Sequence, residues 1–201
     1  MTLLVILDRD GVINHDSEHY IRCAAEWVPI NGSVEAIALL HRAGISVTIA
    51  TNQAGIAKGV FSQADLDSIH HKLLEHITAG GGQVERIFVC THHPDQHCSC
   101  RKPQPGMLEA ACREYGVQAQ SVPFVGDSLR DIQAAEAAGC RPVLVLTGNG
   151  QQTLKGKALP ANLEVFDDLL DFAREFVNGS KLQGIGENLS CTAREFARKV
   201  S

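Results

Sequence analysis

The chain has 201 residues, 44% of them hydrophobic and 20% charged, which excludes a disordered or fibrous protein and sets an expectation near one domain. Eighteen basic against 23 acidic side chains leave a net charge of −5, which argues against a general nucleic-acid binder but not against an anionic small substrate held by local positive charge. No apolar run approaches the ~20 residues of a membrane span, and the N-terminus has no basic region before its apolar stretch, so a cytoplasmic protein with no membrane partner is expected.

Leu3–Leu7 is wholly apolar, the pattern of a strand buried on both faces, and it ends at Asp8. Ser33 is expected to cap a helix from Val34 to about Arg42, ended by Gly44; Ile45–Ala50 reads as a second strand stopping at Thr51. Ser62 caps a helix to about Thr78, with Asp65 three residues on as a capping-box partner. A third strand, Arg86–Cys90, precedes a helix from Pro105 to Tyr115. Val122–Val125 is a fourth strand and Leu129–Ala138 a helix; Pro142–Leu146 and Leu163–Phe166 are further strands, and Asp167–Val177 a last helix. This alternation predicts an α/β, Rossmann-like parallel sheet with helices on both faces, its ligand beyond the carboxyl ends of the strands. Residues 1–178 form the expected domain, and the Gly-, Asn- and Ser-rich stretch opening residues 179–201 reads as a tail.

The residues just after the strands carry the chemistry. Asp8 and Asp10, two apart in Asp8-Arg9-Asp10-Gly11, repel one another unless a cation such as Mg²⁺ justifies them. Thr51, Asn52 and Gln53 follow strand two with a hydroxyl and amides suited to phosphate oxygens. Seven cysteines, an odd number, argue against a disulfide scaffold, and three lie close together beside histidines. Cys90, His92, Cys98 and Cys100 make an S₃N set suited to a closed, structural Zn²⁺ site; His93 and His97 rank below His92, which shares a hook with Cys90. Arg101 and Lys102 come directly after that loop and bring two cations to the same edge, and Asp127 ends strand four, with Asp131 one helical turn later.

DxDG after strand one, Thr-Asn after strand two, a lysine before strand four and GDxxxD after it resemble the four motifs of the haloacid dehalogenase-like phosphohydrolases, over about residues 1–175. Within that superfamily, DRDGVIN, TNQAGIAKG, the zinc hooks and CRKPQPGM resemble the heptose-bisphosphate phosphatase branch, with the histidinol phosphatases next to it. The resemblance implies a phosphatase acting on the 7-phosphate of a heptose bisphosphate, in the supply of heptose for lipopolysaccharide. Asp8 would be the nucleophile and Asp10 the general acid and base. Thr51, Asn52 and Lys102 would stabilise the transferring group. Mg²⁺ would be held by Asp8, the backbone carbonyl of Asp10, and Asp127. Arg101 would recognise the substrate, Asn52 and Gln53 would bind it, and Asp16, Ser17, Glu18 and His19 would line its sugar side. The spacing between motifs leaves no room for a cap domain, so an open site is expected, walled by the zinc loop and Asn14–Val28, with Tyr20 in that wall and Trp27 either there or in the core. A monomer is expected. The alternatives are a histidinol-phosphate phosphatase and a zinc-stabilised binding protein without turnover.

Overall fold

The computed structural model describes residues 3–156 and 159–180. Its strands are β1 (Leu3–Leu7), β2 (Ile45–Asn52), β3 (Arg86–Cys90), β4 (Pro123–Gly126), β5 (Arg141–Val145) and β6 (Glu164–Phe166). They pair in the order β3-β2-β1-β4-β5-β6, every pair parallel. The helices are α1 (Ser33–Arg42), α2 (Gln63–Ala79), α3 (Gly106–Tyr115), α4 (Leu129–Ala138) and α5 (Gly150–Leu154), with α6 over 169–180.

Alternation along β1 divides the core into two layers. Val5 and Leu7 pack with Val47, Ile49, Val125 and Val143 against Ile37 and Leu40 of α1, Ile69 and Leu73 of α2, and Phe172 of α6. Leu4 and Ile6 face the other way, with Phe124, onto Met107 and Leu108 of α3 and Ala134 and Ala135 of α4. A strand covered on both faces has no reason to carry polar residues, which is why β1 is apolar throughout. The chain runs outward from β1 through β2 to β3, then returns to place β4 on β1's other side. The crevice at this reversal is where an open α/β sheet binds ligands, and Asp8 and Asp127 follow the two strands that flank it.

The α/β expectation holds, with local corrections. Ser33 is not the cap of α1: Gly32, at φ 82°, takes that position, and the Ser33 hydroxyl donates to the carbonyls of Ile13 and Ile30 at 2.7 and 2.8 Å. β2 continues through Thr51 and Asn52, because β3 pairs with both. The helix α5 was not anticipated, and the last helix starts two residues later than expected and reaches 180, so the tail reading lies outside the described residues from 181 onward. Among the described residues no helix is long and apolar enough to cross a membrane.

The segment between Asp10 and α1 is pinned rather than loose. Lys72 of α2 donates to the carbonyls of Ala24 and Trp27 at 2.7 and 2.8 Å. Trp27 is fully buried, with His76 edge-on at 5.2 Å between ring centroids, so this aromatic belongs to the core and not to the site wall.

Candidate active site

A cavity of about 410 Å³ opens at the carboxyl ends of β1, β2 and β4. Asp8, Asp10, Thr51, Asn52, Gln53, Arg101, Lys102, Asp127 and Asp131 all border it. Lys102 is its electrostatic centre: the buried ammonium lies 2.7 Å from Asp8 Oδ1 and 2.7 Å from Asp131 Oδ1. Burial alone would lower the lysine pKa, but Asp131 and Asp8 overcome it and hold the pKa above the ordinary value.

Three carboxylates, Asp8, Asp127 and Asp131, have ligand oxygens within 4.8 Å of one another. Burial pushes the Asp8 carboxyl well above the usual range against the pull of Lys102, with Asp131 and Asp127 adding repulsion. Burial likewise pushes Asp127 up to about 6, although Asn149 opposes it by donating its backbone N–H and its amide to Oδ2 at 2.7 and 3.1 Å. Three acids around one lysine form a site short of positive charge, the condition a divalent cation corrects. Asp131 is the least available ligand: Oδ1 faces Lys102, while Oδ2 accepts from the Ser128 N–H at 3.0 Å and its hydroxyl at 2.5 Å, capping α4. Asp8 and Asp127 remain as the carboxylates for Mg²⁺. Glycine is required around them. Gly11 and Gly148 have φ of 80° and 54°, and a methyl group on either would collide with the Asp127 carboxylate.

Asp10 points elsewhere, and its carboxylate does not join that cluster. Arg9 donates to both its oxygens, from Nε at 3.0 Å and Nη2 at 2.8 Å, and Asn14 and Gln53 add one hydrogen bond each at 2.9 Å. Burial would raise its pKa, but the Arg9 charge and these donors prevail and hold it below the ordinary value.

The amides expected to contact substrate are largely committed to the protein. Asn52 donates to the Lys102 carbonyl and accepts from the Lys102 N–H, both at 3.1 Å, which fixes the lysine backbone. Gln53 Nε2 donates to Asp10 Oδ2 and to Thr51 Oγ1, each at 2.9 Å, so its amide N–H groups orient two neighbours. Asp16, Ser17 and Glu18 border the cavity as expected, together with Tyr20. His19 does not: the chain turns it into a separate depression lined by His15, Arg22 and Glu26. The site is open, with the segment after β1 and Pro94 of the loop after β3 as walls.

Beyond the third strand, Cys90, His92, Cys98 and Cys100 converge. Four recorded edges of the set lie between 3.2 and 3.6 Å: Cys90 Sγ to His92 Nδ1, Cys90 Sγ to Cys98 Sγ, His92 Nδ1 to Cys100 Sγ, and Cys98 Sγ to Cys100 Sγ. A tetrahedron with Zn–S bonds of ~2.3 Å has S–S edges of ~3.8 Å, so the donor set fits zinc with little adjustment. His93 instead accepts from the Asp95 N–H, and His97 closes the short turn over Pro94–Gln96; neither joins the cluster. The loop delivers Arg101 to the cavity, where its Nη1 is buried with no acceptor among the described residues.

Arg9, Asn14, Lys58, Arg130 and Asn149 were not identified from the sequence as site residues, yet Arg9, Lys58, Arg130 and Asn149 border the cavity and Asn14 holds Asp10. Asn149 was within reach: it follows β5, and the strand-end rule that singled out Asp8 and Asp127 extends to that strand.

A sheet-reversal crevice with an aspartate after β1, a buried lysine and further strand-end carboxylates is the arrangement of a haloacid dehalogenase-like hydrolase. Residues 99–172 match the family model described as HAD-hydrolase-like. A D-glycero-beta-D-manno-heptose-1,7-bisphosphate 7-phosphatase from Pseudomonas putida is 51% identical over 174 residues, covering 87% of this chain and 99% of the relative. One of the same name from Pseudomonas aeruginosa is 52% identical, covering 83% and 93%. The crystal structure of D,D-heptose 1,7-bisphosphate phosphatase from Bordetella bronchiseptica, complexed with magnesium and phosphate, superposes with a TM-score of 0.87 at 47% identity, covering 89% of this chain and 99% of that one. The chain belongs to the heptose-bisphosphate phosphatase family of haloacid dehalogenase-like hydrolases.

Proposed function

We propose that the protein is a Mg²⁺-dependent phosphatase that removes the 7-phosphate of D-glycero-D-manno-heptose 1,7-bisphosphate through an aspartyl-phosphate on Asp8. The observation that carries this reading is the buried Asp8–Lys102–Asp131 arrangement beside Asp127 in one cavity. A purely structural charge cluster gains nothing from an opening to solvent, whereas a phosphoryl group needs one.

A carboxylate oxygen of Asp8 attacks phosphorus as the bond to the sugar oxygen breaks; Asp10, ionised beside Arg9 in the free protein, takes up a proton as the negative charge of the bound phosphate favours its neutral form, and gives that proton to the leaving oxygen. Asp10 then takes a proton from the water that hydrolyses the aspartyl-phosphate. Lys102 and the Thr51 hydroxyl stabilise charge on the transferring group. Asn52 and Gln53 act one step back, on the Lys102 backbone and on Asp10 and Thr51. Mg²⁺ would be held by Asp8, Asp127 and the Asp10 backbone carbonyl, and when bound it supplies the positive charge that favours ionised Asp8 and Asp127 and neutralises phosphoryl oxygens. Zn²⁺ on Cys90, His92, Cys98 and Cys100 would be structural, leaving no position open for water. The buried, unpaired Nη1 of Arg101 supports recognition of an anionic substrate, with Asp16, Ser17 and Glu18 toward the sugar hydroxyls. Residues 1–178 would be the catalytic domain, working as a cytoplasmic monomer on a small sugar phosphate in the supply of lipopolysaccharide heptose.

Steady-state assays on the heptose bisphosphate, both anomers, and on histidinol phosphate test the reading. A higher kcat/KM on histidinol phosphate overturns the substrate, and undiminished turnover by Asp8→Asn overturns the nucleophile.

A further inference from the structure

Asn149 stands where α5 begins, the position from which an asparagine side chain ordinarily caps a helix by accepting from its first N–H groups. Here it makes no cap hydrogen bond. Its amide instead donates to Asp127 Oδ2 at 3.1 Å, alongside its own backbone N–H at 2.7 Å. The same amide nitrogen lies 3.4 Å from Asp16 Oδ2, a longer contact to an exposed carboxylate. Two donors on one oxygen matter because the terminal torsion of an aspartate is soft. A carboxylate held by one bond can swing about it, whereas one with both lone-pair directions of an oxygen filled has its plane set. Among the described residues no donor reaches Asp127 Oδ1. Asp8 divides its oxygens in the same way: Oδ1 takes Lys102 and the Arg9 N–H, each at 2.7 Å, and no donor among the described residues reaches Oδ2. We infer that Asn149 is a positioning residue for the cation: it holds Asp127 Oδ2 so that Oδ1 is left to meet Mg²⁺.

The turn after β5 is mounted to carry those bonds. The Thr147 hydroxyl donates to the Gly11 carbonyl at 2.7 Å, which ties the turn to the loop after β1. The Thr153 hydroxyl of α5 donates to the Asp127 carbonyl at 2.8 Å, which ties it to the end of β4. Gly148, between these anchors, has φ 54°, and a methyl group there would collide with the Asp127 carboxylate, so the backbone itself lies against Oδ2. Asn149 is thereby fixed to both of the chain segments that supply the carboxylates. Its donors are neutral. They orient Asp127 without cancelling the negative charge that a hard divalent cation requires, as a lysine or arginine at this position would.

This inference rests on the assignment of Mg²⁺ to Asp8 and Asp127, and the choice of variants separates the two. Asn149→Leu keeps the size of the side chain and loses its donor. The backbone N–H remains, so the expected loss is at the lower end for a partner that orients a metal ligand: about tenfold in Mg²⁺ Kd, by calorimetric titration of the protein as purified and freed of Mg²⁺. The Mg²⁺ concentration giving half-maximal turnover of the heptose bisphosphate should rise by the same factor. Raising Mg²⁺ about tenfold further should then recover most of the lost rate, which a general loosening of the site would not allow. Asn149→Ala carries the test should the leucine disturb the turn. A Kd less than about threefold weaker, or a loss of turnover that added Mg²⁺ does not recover, overturns the inference. Asp127→Ala is the control. Should it bind Mg²⁺ as tightly as the unaltered protein, the assignment of the cation falls and the inference with it; should it lose Mg²⁺ while Asn149→Leu and Asn149→Ala keep it, only the positioning inference falls.

Discussion

Metal affinity is expected to depend steeply on pH through Asp127. Its carboxyl is pushed up to about 6 from an ordinary 3.8, and at 3% exposure solvent screens it little. A carboxyl raised on folding is protonated in the folded chain and ionised in the unfolded chain between those two values. Stability of the metal-free protein therefore falls as pH rises from about 4 to about 6, by roughly 3 kcal/mol from this group. Mg²⁺ takes the ionised form, which makes up about nine-tenths of Asp127 at pH 7 and about one-tenth at pH 5. The Mg²⁺ Kd should weaken about tenfold over that range from Asp127 alone, and further through Asp8, which is shifted the same way. Calorimetric titration of the metal-free protein at both pH values, in buffers of different ionisation enthalpy, reads the Kd and the protons released, at least about 0.9 at pH 5. A Kd at pH 5 within twofold of that at pH 7, or binding there without proton release, would refute the assignment of Mg²⁺ to this pair of carboxylates.

Asp131→Ala removes both an ion-pair partner of Lys102 and the α4 capping box, at a cost of about 3 kcal/mol; in a protein of this size that lowers Tm by about 6–12 °C, and a thermal scan unchanged within 1 °C would show that neither interaction stabilises the fold. Protein purified without chelators should contain close to one zinc per chain by elemental analysis; less than ~0.2 counts against the S₃N site. Stripping that zinc should raise hydrogen exchange around residues 90–102 before it disturbs β1 and β4.

What the sequence disclosed and what it withheld divide along a physical line. The apolar runs of β1 and β4 marked the strands buried on both faces, and the first polar residue after each had to lie where the sheet meets solvent, which made Asp8 and Asp127 legible before any coordinates. The convergence of Cys90, His92, Cys98 and Cys100 was legible because thiols and an imidazole in short hooks have few other uses together. α5 was not, since Gly150–Leu154 is five residues long and has no apolar periodicity to betray a helix. Ser33 was misread because an N-cap is a local inference, while its hydroxyl is shared between the Ile30 carbonyl and the Ile13 carbonyl, the latter in a loop twenty residues earlier.

The amides after β2 show where such reading stops. Thr51, Asn52 and Gln53 are equally polar and equally close to the strand end, but pairing with β3 continues through Thr51 and Asn52, and successive side chains along a strand point to opposite sides. Asn52 therefore meets the Lys102 backbone, whereas Thr51 and Gln53 share the other side, where Gln53 donates to both Thr51 and Asp10. Arg9 was hidden for the opposite reason. As the residue between two aspartates it reads as a spacer, yet its guanidinium grips Asp10 and meets a helix that the chain reaches sixty-one residues later, at His70. The side chains that meet a phosphoryl group can be found at strand ends by their chemistry. Those that aim them depend on which distant element packs behind, and that is a property of the folded sheet with its helices rather than of any segment in the sequence.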